Sequence, residues 1–478
     1  DINKIKTETK EYIDKLREMN RNGDQEALRM IAEVNAIADA NITSSLQVHE
    51  FFKAKLFGGE FDGKKIQGKL KQQSQATLYN SLLSSIRTPV KAISSTNMLA
   101  LMRPFQQYIG AMKPFQGFKV DEKAMAVAAV QIDGMYRSLA ESFQMFAYNW
   151  KRGFQGKSLV YEGRYDLEQD MAEWRKLGQL IDQYGSKNEK RSYEFLNAVT
   201  TFNNWPWVRA SQIAMGSGDS AARTFLGRQA MLTEAAHEAL EKGTDLKDLK
   251  KVVRETEDNF RNKLFKKNED NMYVVSDAGA TMAGDEVAMT SRLQGNLEGF
   301  EKIGELPFMK AFFPFVRTGF NSLQLTFAHT PLTNFTQKYK DIRAGKNLMK
   351  YGIKNDTQLA QERALIEGRV ASGYMIATLA AGAALTGKLT GSYPYRDEDK
   401  DAWIAAKIKP NSFVMGDPLG TEGGKRYYVS YENMEPFNTI FQFVGDVVQN
   451  ADILGEEKTE NLMQKISFMI ASVLVDKS

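Results

Sequence analysis

"ASGYMIATLAAGAALTGKLTG", residues 371–391, carries no charge before Lys388. It lies in a chain of which 26% of the residues are charged. A membrane-spanning helix needs about 20 mostly apolar residues, and the uncharged run from Val370 to Gly387 has 18. Ala, Gly, Ser and Thr fill many of its positions, so its hydrophobicity is weak. Small residues let helices approach closely. At helical spacing, Gly373, Ala377, Ala381 and Leu385 fall on one ridge, with Ala380 and Ala384 on the next. Two readings follow. The run is a tightly packed helix of a bundle or oligomer, or it is a membrane span, either outright or conditional on its surroundings. Leu379 and Leu385 are its strongest apolar points. A second apolar run, "ISFMIASVLV" (466–475), is too short to span alone.

The rest of the chain is amphipathic and mostly helical in pattern. Residues 1–50 alternate charge and apolar positions at three- and four-residue steps, with a break expected at Asn22-Gly23-Asp24. The Gly- and Lys-rich stretch 57–72 reads as an exposed linker. Pro89, Pro104 and Pro114 each predict a helix break or a helix start. No proline occurs between Pro206 and Pro307, so that region is the most continuously helical. Within it Asp219 or Ser220 is a candidate N-cap and Gly243 a stop. Residues 244–268 predict a charged helix, largely facing solvent. Residues 305–335, with three prolines and seven phenylalanines, predict a kinked apolar elbow. After Gly391 the pattern alternates, and "SFVMG" and "KRYYVSY" flank a Gly-rich turn, predicting one β-hairpin near 412–431.

The expected fold is therefore mainly α, an elongated assembly of kinked and short helices with that single hairpin. Five successive segments are expected. They are N-terminal helices and linker (1–73), a helical domain (74–205), a helical domain with the long charged helix (206–300), the elbow and Ala/Gly-rich helix (301–392), and a small α+β part (393–478).

Composition excludes several chemistries. The chain has no cysteine, which removes disulfides, thiol nucleophiles and Cys-based metal sites. Its three histidines, His49, His237 and His329, are far apart in sequence, and each reads as a hydrogen-bonded structural residue. Net charge is +4 in 478 residues, without a basic domain of the kind that grips nucleic acid. The 21 Met and 28 Phe read as core, and Met also suits surfaces that repack.

Motif candidates resolve to structure. Gly424-Lys425 is followed by Arg and a strand pattern, not by the Ser/Thr and helix of a phosphate loop. "GSGDSA" (216–221) is a helix cap before it is an anion seat. Glu141-Ser142 lies in mid-helix, and "ENLMQK" (460–465) lacks the glycine that a lytic transglycosylase places downstream of such a pair. "YRDEDKDAW" (395–403) is an acidic helix start with Trp403 turned inward. No catalytic, cofactor-binding or metal-binding residue is assigned, and no cofactor is expected. The residues singled out are Gly373, Ala377, Leu379, Ala381 and Leu385.

The order of several stretches carries a resemblance. "AFFPFVRTGFNSLQLTFAHTPL" (311–332) precedes the Ala/Gly-rich helix, and "LTGSYPYRDEDKDAWIAAKIKPNSFVMGD" (389–417) and "YYVSYENMEPF" (427–437) follow it. Upstream stand "LLSSIRTPVKAISSTNMLALMRPFQQYIGA" (82–111) and "GDSAARTFLGRQAMLTEAAHEA" (218–239). Together they resemble the C-terminal part of the large internal virion, or ejection, proteins of T7-like short-tailed bacteriophages, over about residues 80–478. The start "DINKIKTETK", without Met, fits an internal or processed piece of such a chain.

The resemblance implies storage inside the capsid, then ejection into the host periplasm and inner membrane. It also implies assembly there into a homo-oligomeric ring that conducts phage DNA without sequence specificity. Implied partners are other internal virion proteins, the portal and the host inner membrane. Any wall-cleaving or polymerase activity belongs elsewhere in the parent chain. The alternatives are a scaffold or tail-adaptor protein that never enters a membrane, and an enzyme with an unrecognised active site.

Overall fold

The computed structural model describes residues 25–38, 42–82, 87–160, 167–288, 316–330, 333, 337–394, 397–416 and 426–449. Among them the chain is mainly helical, with three small antiparallel sheets. The expectations at 22–24 and 466–475, and the three prolines of the elbow expected over 305–335, lie outside the described residues. Packing groups the chain into two units. One comprises residues 1–88 and 149–216, the other 89–148 and 217–478. The grouping is interleaved, whereas the five expected segments are successive.

The first unit contains α1 (Gln25–Ala38), α2 (Ser45–Phe57), the hairpin β1 (Gly59–Phe61) and β2 (Lys64–Ile66), and α3 (Lys69–Leu82). Ser44 caps α2 by accepting a hydrogen bond from the Gln47 amide. The core is Ile31, Val34, Phe51, Phe52, Ile181 and Leu196, with Trp174 beside them.

The linker expected at 57–72 is instead a hairpin running into a helix. Asp62 and Gly63 both take positive φ, 49° and 71°, as a two-residue turn of matching twist requires. Phe61 then packs on Phe51, with ring centroids 5.4 Å apart. Lys69, expected in an exposed linker, is buried. Its Nζ lies 2.6 Å from Asp170 Oδ2 and stands over the Trp174 ring.

The second unit opens with α4 (Arg87–Ala111), followed by α5 (Glu122–Asp133). The division between units falls within α6 (Met135–Phe154). The first unit also holds α7 (Leu167–Tyr184) and α8 (Lys187–Asn203), and α9 (Ala210–Glu241) is again divided. Pro104 sits inside α4 rather than ending it. Asp219 and Ser220 lie within α9 and cap nothing. Gly218 there serves packing, since a Cβ would meet Ile93 Cγ1 at 2.7 Å. The expected stop holds, with α9 ending at Glu241 and Gly243 at φ 79°.

The charged helix expected over 244–268 is broken. Leu249–Thr256 forms α10, a 3-10 turn spans Glu257–Phe260, and Arg261–Leu264 forms α11 before β3 (Phe265–Lys267) and β4 (Tyr273–Val275). Leu249, Val253, Phe260 and Leu264 are buried. Glu257 is buried too, 2.6 Å from Arg137 and 3.1 Å from Arg228. The segment is thus anchored on one side by these residues, while Lys250, Lys251, Arg254 and Glu255 on its other side face solvent, as expected.

The remaining helices are α12 (Ala278–Val287), α13 (Val316–Ala328), α14 (Gln337–Ala344), α15 (Asp356–Leu385), α16 (Asp397–Ala405) and α17 (Phe437–Gln449). The expected hairpin is present as β6 (Ser412–Gly416) and β7 (Arg426–Ser430), in register Phe413↔Val429. A short strand β5 (Leu389–Thr390) joins its edge. Trp403 of α16 is half-buried, its ring 6.3 Å from that of Tyr393.

Candidate functional site: the two halves of the helix 356–385

The opening stretch lies in α15, whose first turn is capped by Asn355 accepting from the Gln358 amide. The first half of α15 is locked into the second unit by charge. Arg369 is buried, and its Nη1 reaches Glu286 at 2.5 Å and the Tyr339 hydroxyl at 2.7 Å. Lys338 reaches the other Glu286 oxygen at 2.8 Å. Burial pushes the Glu286 carboxyl up, but Arg369 and Lys338 outweigh it and hold it well below the usual carboxylate range. Glu362 pairs with Arg103 of α4, and Glu367 with Arg343 at 3.4 Å.

Close backbone approach completes the lock. A Cβ on Gly368 would stand 1.7 Å from the Gln106 carbonyl oxygen, and one on Gly110 would stand 1.7 Å from that of Ala364. A Cβ on Gly373 would stand 1.6 Å from the His329 carbonyl oxygen. Of the small residues at helical spacing in the run, Gly373 makes such a close approach, at the end of α13; the other two, at Gly368 and Gly110, lie between α15 and α4 outside the run. His329 is a buried core residue, as its sequence context suggested. Its Nδ1–H donates to Leu325 O at 2.7 Å, so Nε2 accepts from Gln106 at 2.9 Å. Burial, and then the Arg369 charge, push this imidazole down to about 3, so it is neutral.

The second half of α15 behaves differently. Ala380 is buried against Leu389 and Tyr431, with Ala383, Ala384 and Phe441 around them. The opposite edge is open. Leu379 is 71% exposed, Leu385 75%, and Tyr374 and Met375 are exposed as well.

The ridge Gly373, Ala377, Ala381 and Leu385 therefore does not stay on one packed face, and Leu379 lies off it. Gly373 is in the seam, Ala377 and Ala381 are half-buried, and Leu379 and Leu385 face solvent. The geometry explains this correction. Four residues turn a helix by about 400°, so a ridge of four-residue steps drifts by about 40° per step. By Leu385 it has rotated off the packed side.

Phe115, which the sequence reading left unassigned, extends the open edge: it is exposed, and its ring lies 5.6 Å from that of Tyr374. Phe118, three residues on and also left unassigned, is exposed near it in sequence. Residues 104–120 and 370–394 contain Lys113, Lys119 and Lys388 but no Asp or Glu. That acid-free bias was the available sequence signal. The segments that form the edge are thus apolar with lysines as their charged residues. Lys113 also reaches Asp121 at 3.8 Å.

A cavity of about 90 Å³ also lies in the second unit. Arg103, Gln107, Gln131, Gln229, Gln361 and Glu362 are among the residues that line it. Among the described residues, no group of His, Asp and Glu is placed to hold a metal ion. Among them, too, no helix is long and apolar enough to cross a membrane. No family model, no curated protein and no solved structure matches the chain.

Proposed function

We propose that the chain is a structural, non-enzymatic part of an internal virion protein of a short-tailed bacteriophage. It is ejected into the host envelope and forms part of an oligomeric conduit for phage DNA. One observation carries the membrane-facing element of this reading: the second half of α15 presents an apolar, uncharged edge while its first half is held by buried charges and glycine contacts. Such an edge suits the headgroup–acyl boundary of a bilayer, where apolar side chains insert and lysines meet anionic lipids. The ion-paired Glu362, Glu367 and Arg369 stay with the protein core. Surface attachment through residues 374–385 and 115–118 therefore needs no unfolding of the lock.

Two further properties support the conduit. Near-neutral net charge lets DNA slide, since neutralising many phosphates would hold it. A cysteine-free chain can thread a narrow tail with no cross-link to break. Co-sedimentation with anionic vesicles tests the membrane element. The wild-type chain binds, and the Leu379→Asp/Leu385→Asp variant loses most binding with its melting temperature unchanged, because both residues are exposed. Equal binding by both chains overturns the role of this edge. Rings seen by electron microscopy support the conduit, and turnover of peptidoglycan or nucleotides by this chain overturns its non-enzymatic assignment.

A further inference from the structure

The first unit carries an aromatic knob that the reading above does not use. The Phe154 ring, at the end of α6, lies 5.1 Å from that of Trp150 at an interplanar angle of 39°. On its other contact it meets Trp207 edge-on, at 5.2 Å and 76°. Trp207 is 68% exposed and Trp205, two residues earlier across Pro206, is 56% exposed. Phe202, in the last turn of α8, is exposed too. Aromatic side chains of this size each bury about 150–250 Å² when covered, so leaving several open is costly in water alone.

The two segments that carry the knob hold charge of one sign. Residues 149–160 and 195–216 contain Lys151, Lys157, Arg152 and Arg209, and no Asp or Glu. Arg209 is buried, and Arg152 donates to the Ser158 carbonyl at 3.0 Å. Of these cations Lys151 is exposed, and Lys157 and Arg152 are half-buried.

We propose that this knob is an interfacial anchor that inserts Trp205 and Trp207 into the headgroup region of an anionic lipid bilayer. Tryptophan suits that depth because its ring is apolar while its indole N–H needs a polar partner. The lysines add attraction to acidic headgroups. Single-stranded nucleic acid is the other polymer that aromatic and basic residues bind, but stacking of bases needs open, successive ring faces. Here the rings of Trp150, Phe154 and Trp207 are packed tilted and edge-on against one another, which makes a plug rather than a stair. This proposal rests on the membrane reading above for its partner class, but on different residues in the other unit.

The test uses the full chain and vesicles of phosphatidylcholine with or without phosphatidylglycerol. Adding acidic vesicles to the wild-type chain shifts its tryptophan emission to the blue. Trp205→Ala/Trp207→Ala loses most of that shift and binds about tenfold more weakly, a change of about 1.4 kcal/mol. Trp205→Ala/Trp207→Phe retains a ring against Phe154, guards against a folding defect, and also binds more weakly. Lys151→Glu/Lys157→Glu weakens binding to acidic vesicles while leaving binding to neutral ones unchanged.

Unchanged binding by both tryptophan variants overturns the proposal. So does loss of oligo-dT binding in these variants with vesicle binding intact. If only the tryptophan variants lose vesicle binding, the knob stands and the α15 edge falls. If only Leu379→Asp/Leu385→Asp loses it, the reverse holds. A wild-type chain that binds no vesicle overturns both.

Discussion

Two glycines of α15 show how far one residue's meaning depends on its neighbours. Gly368 and Gly382 are both mid-helix, where Gly costs about 1 kcal/mol relative to Ala. Gly368 meets the Gln106 carbonyl, while a Cβ on Gly382 meets nothing within 4 Å. Gly382→Ala should therefore raise stability by about 0.5–1 kcal/mol. Gly368→Ala should lower it by at least the 1–3 kcal/mol typical of overpacking. Denaturant melts of the two variants check this, and a stabilised Gly368→Ala would refute the seam.

His329 makes a pH prediction. Its imidazole is depressed from 6.5 to about 3 in the fold, so the unfolded chain binds the extra proton first. The stability it contributes is complete above about pH 6.5 and is lost as pH falls toward 3. The loss is up to about 1.4 kcal/mol per pH unit inside that window. Glu286, held well below 4.5, acts in the same direction only once pH falls below about 4.5. Burial raises Asp219 and Asp446 to about 6, so these two favour the fold as pH falls. The comparison of wild type with His329→Gln removes them. The difference in melting temperature between the two chains should change between pH 6.5 and 4.5, and a constant difference would refute the assignment.

At the scale of elements, local signals were reliable where the backbone itself imposed them. The hairpin at 412–431 and the stop at Gly243 were legible for that reason. The hairpin at 59–66 was equally legible in Asp62-Gly63 but was masked by the surrounding Gly and Lys. It predicts that Gly63→Ala, which forces a side chain into φ 71°, costs about 1 kcal/mol in a thermal melt of the intact chain. Signals failed where packing overrode propensity. Pro104 remains inside α4, in a helix that α15 presses at Gln106 and Gly110. "GSGDSA" runs on as helix because Gly218 makes room for Ile93. The helix α15 shows no single apolar face in sequence because its two halves bury different sides. The first meets α4 and α13, and the second meets α17 and the sheet beside it.

At the scale of the molecule, each unit has its own exposed apolar feature, and the proposed role asks a bilayer to cover it. Salt should weaken the vesicle binding, since exposed lysines are screened within about 10 Å at 0.1 M salt. The sequence alone determined a mainly helical, cysteine-free chain with a weakly apolar run at 370–387, because composition, helical periodicity and turn chemistry act over a few residues. Only the tertiary structure decided which side of that run is buried. That choice depends on partners distant in the chain: Gln106 against Gly368, Glu286 against Arg369, and Tyr431 against Ala380. Each side of the run is apolar enough to be core, so burial went to the side where carbonyls, charges and rings from elsewhere fit it. Leu379 and Leu385 were left on the outside.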